Sequence, residues 1–332
     1  MNYKKLGNTD LDVSTICLGT MTWGEQNTQE EGFEQMDYAL DKGVNFWDTA
    51  ELYAVPPKAE TFGHTEVIIG NWFRKTKKRD KIILATKVAG PSREYLRGGG
   101  YNYGIDKMSE AINDSLKRLQ TDHLDMYGLH NPKLEHIRNN SIFDVLDSFV
   151  EDESINTYQI ALGPAIGWTQ EGVEAMERPN VSAVQTVYNI LEQTPGNELM
   201  KKAEEKQVGI LVRVPEASGI LTGKVNAETK IDEKDHRSVR KGEWVKASLA
   251  KVEVLKPIAE RNDLTITELS MKFIMSKKGF ASVFPTVVSE EEIVNYVEMT
   301  KGGYISASDM KEIEELYNTW PSYELKATPQ TK

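Results

Sequence analysis

Asp48, Lys87 and His130 each follow a short apolar run, and Tyr53 stands just beyond Asp48 in Asp48-Thr49-Ala50-Glu51-Leu52-Tyr53. Together these four residue types suit one kind of chemistry. A free phenol has a pKa of about 10 and is a poor acid at neutral pH. A neighbouring ammonium favours the phenolate, so Lys87 is expected to acidify Tyr53. Asp48 can hold Lys87 by an ion pair, and His130 can hydrogen-bond and orient a substrate oxygen. A phenol tuned in this way can protonate a carbonyl oxygen as hydride arrives at its carbon. Each residue alone has a plainer reading: an aspartate capping a loop, a packed tyrosine, a solvated lysine, a structural histidine. Delivery to one rim is what would make them a site.

The elements that must deliver them alternate along the whole chain. Short β-branched-rich runs at 14–18, 44–47, 82–86, 124–129, 158–162, 183–187, 209–214 and 281–284 read as strands bounded by polar or turn residues. Helical patterns fill 29–42, 65–74, 107–119, 141–150, 169–176, 197–206 and 244–261, and 289–299 follows the last strand. In the third helix Met108, Ala111, Ile112, Leu116 and Leu119 recur at three- and four-residue steps, giving one apolar face. Eight strands alternating with eight helices predict an α/β fold, a (β/α)8 TIM barrel whose chemistry sits at the C-terminal ends of the strands. On this reading Asp48, Lys87 and His130 are the exits of strands two, three and four. A doubly wound sheet also alternates, but its glycine-rich fingerprint is missing: the first turn reads Gly19-Thr20-Met21-Thr22-Trp23-Gly24.

Residues 3–13, with the turn signal Gly7-Asn8, predict a hairpin plugging the barrel's N-terminal end. Residues 308–317 predict an extra C-terminal helix. Residues 1–320 are expected to form one domain, and 321–332 a polar tail. Residues 215–243 form a loop long enough to expect a function.

The chain of 332 residues is 39% hydrophobic and 27% charged, with a net charge of −11. Such a surface repels phosphate backbones, so nucleic acid is not an expected partner. No apolar run reaches the roughly 18 residues of a membrane span. Cys17 is the single cysteine. With no apolar leader near Met1, it predicts a reducing cytoplasmic setting. No heptad seam marks an oligomer, and a homo-oligomer is compatible with the sequence. Histidines at 64, 123, 130, 136 and 236 form no HxH or HExxH, so a metal-dependent barrel hydrolase is disfavoured.

At this point the chain resembles the aldo-keto reductases, NAD(P)H-dependent oxidoreductases built on a (β/α)8 barrel. Four motifs carry the resemblance: Leu6-Gly7-Asn8-Thr9-Asp10-Leu11-Asp12-Val13-Ser14, Gly19-Thr20-Met21-Thr22-Trp23-Gly24, Asp48-Thr49-Ala50-Glu51-Leu52-Tyr53 and Asp114-Ser115-Leu116-Lys117-Arg118-Leu119. The segments Gly24-Glu25-Gln26-Asn27, Val55-Pro56-Pro57 and Gly90-Pro91-Ser92-Arg93 resemble the Tas-type branch of that family. The resemblance implies a catalytic tetrad of Asp48, Tyr53, Lys87 and His130, a small carbonyl substrate, and NADPH or NADH as cofactor.

It also implies a cofactor set. Thr20 and Gln26 follow strand one, and Gln185 matches the glutamine that binds the carboxamide. Arg213 occupies a position where many relatives stack an aromatic on nicotinamide, and a planar guanidinium can also stack. Pro215, Ala217, Gly219 and Lys224 belong to the loop over the pyrophosphate, with Arg237 further along it. Ser289 opens the helix near the adenosine. Trp23 is expected at the substrate rim with His130.

Two departures stand out. Ala161 and Leu162 replace the usual Ser-Asn pair after strand five. The segment from Pro285 to Asn295 carries Glu290-Glu291-Glu292 and no Lys or Arg, so no clamp for a 2′-phosphate is evident. A cofactor-sensing regulatory protein with little turnover is the competing reading. Retention of all four tetrad residues favours the enzyme.

Overall fold

The computed structural model of the chain describes residues 1–90, 93–100, 102–163, 168–226, 228–229 and 242–320. Two strands, β1 (Tyr3–Lys5) and β2 (Asp12–Ser14), pair antiparallel as a hairpin. Eight parallel strands follow: β3 (Leu18–Gly19), β4 (Phe46–Asp48), β5 (Ile83–Ala89), β6 (Leu124–His130), β7 (Ile155–Ala161), β8 (Val181–Val187), β9 (Gly209–Arg213) and β10 (Phe280–Phe284). They pair in sequence order from β3 to β10. A parallel bridge between Ile16 and Val283 joins the two edges, with the Cys17 amide donating to the Val283 carbonyl at 2.9 Å. A sheet whose last strand meets its first is a barrel, as the alternation predicts.

The hairpin closes the N-terminal end. Leu6 and Val13 join Cys17, Phe46, Ala85, Met126, Ala183, Leu211, Ala281 and Phe284 in one buried interior cluster. Gly7 makes this possible: its φ is +56°, and a Cβ there would lie 2.5 Å from the Ser182 carbonyl oxygen. No side chain fits.

Helices surround the barrel: α1 (Gln29–Asp41), α2 (His64–Thr76), α3 (Ile105–Leu119), α4 (Leu134–Ile137), α5 (Asn140–Glu151), α6 (Thr169–Ala175), α7 (Gly196–Lys206), α8 (Gly242–Arg261), α9 (Ile266–Met275), α10 (Glu290–Met299) and α11 (Ala307–Thr319). The expected stripe on α3 is buried at Met108, Ala111, Ile112 and Leu119. α11 is the extra helix expected near the C-terminus.

Two helices were not expected, the one-turn α4 and the longer α9. α9 packs on β10, and α8 lies against α9, so α9 holds the barrel slot assigned from sequence to 244–261. Every residue from Leu269 to Met275 is buried, which erases the amphipathic stripe that a sequence scan seeks. Its start was readable, since Thr265 and Glu268 form a reciprocal capping box.

Strand boundaries also moved. β5 runs on to Ala89, so Lys87 lies inside a strand and not at its exit. β4 and β6 each extend one residue further than expected, making Asp48 and His130 their last residues. Residues 321–332, read as a tail, lie outside the described residues.

Candidate active site

Lys87 and Asp48 meet because β4 and β5 are neighbours in register, with Asp48 opposite Ala85. The Lys87 side chain is 0% exposed. Its Nζ donates to Asp48 Oδ1 at 2.8 Å, to Asp48 Oδ2 at 2.7 Å and to the Thr49 carbonyl at 2.5 Å. Three acceptors for three protons satisfy a buried ammonium, which would otherwise be very costly. Gly128 on β6 makes room: a Cβ there would fall 2.9 Å from Lys87 Cγ and 2.8 Å from Gln159 Cγ. Gln159 in turn donates to Asp48 Oδ1 at 3.4 Å.

Tyr53 stands at the end of a tight turn above this pair, its amide donating to the Ala50 carbonyl at 3.0 Å. The Lys87 ammonium is 5.5 Å from the Tyr53 ring centre. The ring of His130 meets that of Tyr53 edge-on, with centroids 6.1 Å apart. All four sequence-derived residues therefore converge.

The electrostatics correct one expectation. Burial pushes the Tyr53 phenol above its ordinary range, and this outweighs the pull of Lys87 in the other direction; Asp48 adds to the rise and Arg213 opposes it. Tyr53 is thus an acid kept protonated at neutral pH, not one lowered toward it. His130 moves down, well below the usual imidazole range, through burial first and then the charges of Lys87 and Arg213. It is a neutral imidazole, and its Nδ1 is buried without a partner among the described residues.

The residues assigned to a cofactor divide into groups. Gln185 is 3% exposed, and its Nε2 is buried without a partner among the described residues. Arg213 closes β9 and donates from one terminal nitrogen to the Leu162 and Gly163 carbonyls at 2.5 and 2.6 Å. The segment that lost its Ser-Asn side chains therefore serves as a backbone seat for Arg213. Arg213 Nε is also buried and unpartnered among the described residues. Thr20 is fully buried and donates its hydroxyl to the Asp48 carbonyl at 3.0 Å, bracing the tetrad.

After Arg213 the backbone turns sharply. Val214, Ala217, Ser218 and Gly219 take φ of +57°, +49°, +56° and +94°. A β-branched residue in this region is an outlier of the kind that clusters at functional turns. Pro215 and Ala217 are buried within that turn, and the Pro215 carbonyl accepts from Ser270 at 3.1 Å.

Other assignments landed differently. Lys224 is ion-paired with Glu292 Oε1 on α10, so its charge is already engaged. Ser289 caps α10, accepting from the Glu292 amide at 3.3 Å. Gln26 is exposed in the β3–α1 loop. Arg237 lies outside the described residues.

Trp23 does not reach the rim. It is fully buried in the outer core and donates its indole N–H to Gln35 Oε1 on α1 at 2.8 Å. The loop after β3 folds back toward α1 and carries the indole away from the expected rim.

Sequence reading missed Gln159 and Glu216 here. Gln159 lies within β7, where its run gives no hint of an inward amide. Glu216 is buried beside the strained turn, accepting from Tyr296 at 2.7 Å and from the Thr286 amide at 3.0 Å. Burial pushes its carboxyl up to about 7. Trp168 stands against Gly163, with its indole nitrogen buried and unpartnered among the described residues.

Comparison with known proteins agrees with this architecture. The sequence model of the Aldo/keto reductase family matches residues 15–318. The chain is 31% identical to Protein tas of Escherichia coli strain K12 over 323 residues, covering 90% of this chain and 92% of that protein. It is 36% identical to the uncharacterized oxidoreductase YrpG of Bacillus subtilis over 242 residues, covering 69% and 72%. Among solved structures, the holo form of aldo-keto reductase AKR11C1 from Bacillus halodurans superposes with a TM-score of 0.76 at 24% identity, covering 95% of this chain and 96% of that one.

Proposed function

The chain belongs to the aldo/keto reductase family and is an NAD(P)H-dependent oxidoreductase, and from that premise we propose that it reduces aldehyde or ketone carbonyls to alcohols with Tyr53 as the general acid. The observation that carries this reading is the convergence of Tyr53, neutral His130 and the Asp48–Lys87 pair at one end of the barrel.

The residues fit a nicotinamide cofactor. Gln185 Nε2 and Arg213 Nε are buried donors without partners among the described residues, and such atoms call for a polar group to meet them. Gln185 would hold the carboxamide, and Arg213 would lie beside the ring. The turn from Val214 to Gly219 would face the phosphates. When bound, the reduced cofactor supplies the hydride.

The chain's own groups supply the rest. His130, held neutral, donates a hydrogen bond to the substrate oxygen and fixes its direction. Tyr53, held protonated, gives its proton to that oxygen as negative charge develops on it. Lys87 then faces a phenolate, whose charge it stabilises at close range in a site of low polarity. Asp48, Thr49 and Thr20 keep Lys87 from turning away.

The same reading favours weak selection between NADPH and NADH. Lys224 is committed to Glu292, and Glu290, Glu291 and Glu292 open α10. Three carboxylates at that end oppose a 2′-phosphate.

The direct test mixes the protein with NADPH or NADH and an activated aldehyde, and follows cofactor absorbance. Tyr53→Phe is the control. Aldehyde-dependent oxidation that Tyr53→Phe abolishes supports the assignment; equal rates in both proteins overturn it.

A further inference from the structure

The segment between β5 and α3 is tied to the catalytic residues at two points. At the first, Leu96 is buried against Leu52 and Ala89 in a small apolar cluster, separate from the main core, with Phe62 packed on it. The next residue, Arg97, is 6% exposed at its side chain, and its terminal nitrogen donates to Glu51 Oε1 at 2.5 Å. At the second, Asn102 donates to the Ala89 carbonyl at 2.8 Å and the Tyr103 hydroxyl to the His130 carbonyl at 2.5 Å. Between them run Gly98, Gly99 and Gly100, all with φ near +76°. The glycines let the chain reverse between its two anchors.

Glu51 joins this segment to Tyr53. It is fully buried and lies in the same tight turn as Tyr53. Its Oε1 also accepts from the Ala89 amide at 2.6 Å, and its own amide donates to the Lys87 carbonyl at 3.2 Å. Glu51 thus touches the strand of Lys87, the turn of Tyr53 and the segment carrying Arg97. Two cations lie near it. Arg118 is 3.8 Å from Oε2 but spends its Nε on Glu66 at 2.7 Å. Arg97 makes the close contact. Burying a carboxylate this fully is tolerable only with such a partner, and breaking a buried pair is far more costly than breaking an exposed one.

We propose that Arg97 is a positioning residue for the catalytic tyrosine: by pairing with Glu51 it locks the turn that holds Tyr53 in place against Lys87 and His130. This rests on the assignment of Tyr53 as the acid. The consequence is a coupling between the segment over the barrel mouth and the proton-donating group below it. A small displacement of a donor from its working geometry lowers turnover by factors up to about a hundred.

The test uses the full chain and Arg97→Gln, with Arg97→Lys as the conservative variant. Two readouts are taken. Amide hydrogen exchange at residues 49–54 requires no turnover, so it judges the lock even if the wild type reduces no carbonyl and the functional assignment falls. Steady-state reduction of the activated aldehyde separates kcat from KM. The expected result is exchange at Glu51 and Tyr53 faster by about tenfold. In parallel kcat should fall about tenfold, with KM nearly unchanged and Arg97→Lys restoring most of the loss. Leu96→Ala loosens the same anchor without stranding a charge, and serves if Arg97→Gln does not fold. Unchanged exchange at 49–54 overturns the proposal. So does a rise in KM at constant kcat, which would make the segment a wall of the substrate mouth and no more.

Discussion

The Lys87 ammonium lies 5.5 Å from the centre of the Tyr53 ring while bonding both carboxylate oxygens of Asp48. That arrangement divides the work of one cation. Asp48 fixes its position, and the phenol feels its field only in part. Burial remains the stronger influence on Tyr53, so the phenol keeps its proton at neutral pH.

A flat pH profile follows. Tyr53 titrates above the ordinary phenol value, and His130 titrates well below the ordinary imidazole value. Neither changes state between about pH 6.5 and 10. The rate constant for carbonyl reduction should vary by less than about twofold between pH 7 and 9. A bell-shaped kcat profile centred near neutrality would show that another group donates the proton.

Gly128→Ala should damage catalysis more than stability. The added methyl would press on the Cγ atoms of Lys87 and Gln159 at 2.9 and 2.8 Å. Overpacking of this kind costs about 1–3 kcal/mol of stability, while the moved lysine should lower kcat by tenfold or more, on the order expected for a misplaced catalytic group. Full activity in a folded Gly128→Ala protein would mean that Lys87 has slack that its three hydrogen bonds do not suggest.

Arg213 should bias the protein toward the reduced cofactor. An oxidised nicotinamide ring carries a positive charge and the reduced ring does not. A guanidinium beside it disfavours the oxidised form by on the order of 1 kcal/mol, or roughly fivefold in affinity. Arg213→Gln should therefore tighten binding of the oxidised form relative to the reduced one by about that factor. Fluorescence titrations of both forms decide the matter, and an unchanged ratio removes Arg213 from the ring.

Cofactor choice is the next expectation. With Lys224 held by Glu292 and an acidic first turn on α10, kcat/KM with NADPH should exceed that with NADH by less than about tenfold, or 1.4 kcal/mol. A hundredfold advantage for NADPH would require a phosphate site built from other residues.

Glu216 predicts a pH-dependent stability. Its folded pKa of about 7 is above the ordinary 4.5, so the folded state holds the proton more tightly than the unfolded chain. Ionisation therefore opposes folding. The penalty is absent below about pH 4.5, grows as pH rises, and is complete above about pH 7. Its full size is on the order of 3 kcal/mol. Glu216→Gln keeps the acceptor for Tyr296 and the Thr286 amide and should remove the penalty. Urea unfolding at pH 5.5 and pH 8 should show the variant gaining on the wild type at the higher pH. Equal differences at both values would mean that Glu216 stays ionised throughout.

How much of this was readable from the chain follows from the range of each interaction. Asp48, His130 and Arg213 end their strands, and a strand end is a local feature. Lys87 still meets Asp48 although its strand runs two residues further, because alternation along a strand turns it inward. α9 escaped because a helix buried on all sides carries no stripe. Trp23 went wrong because an indole in a loop gives no sign of folding back onto α1. The Glu51–Arg97 contact joins residues 46 positions apart. It exists only once β4 and β5 pair and Leu96 seats against Leu52 and Ala89, so no window of sequence could display it. Gln159 was missed for a related reason: a polar residue in an apolar run reads as facing solvent until the barrel closes around it. Glu216 lies in the turn after β9, and its partner Tyr296 is 80 positions further on.

The hairpin that seats Leu6 and Val13 in the bottom of the barrel stoppers the end opposite Asp48 and His130, the last residues of their strands. Any approach to those two side chains along the barrel axis is therefore left to the side where their strands stop.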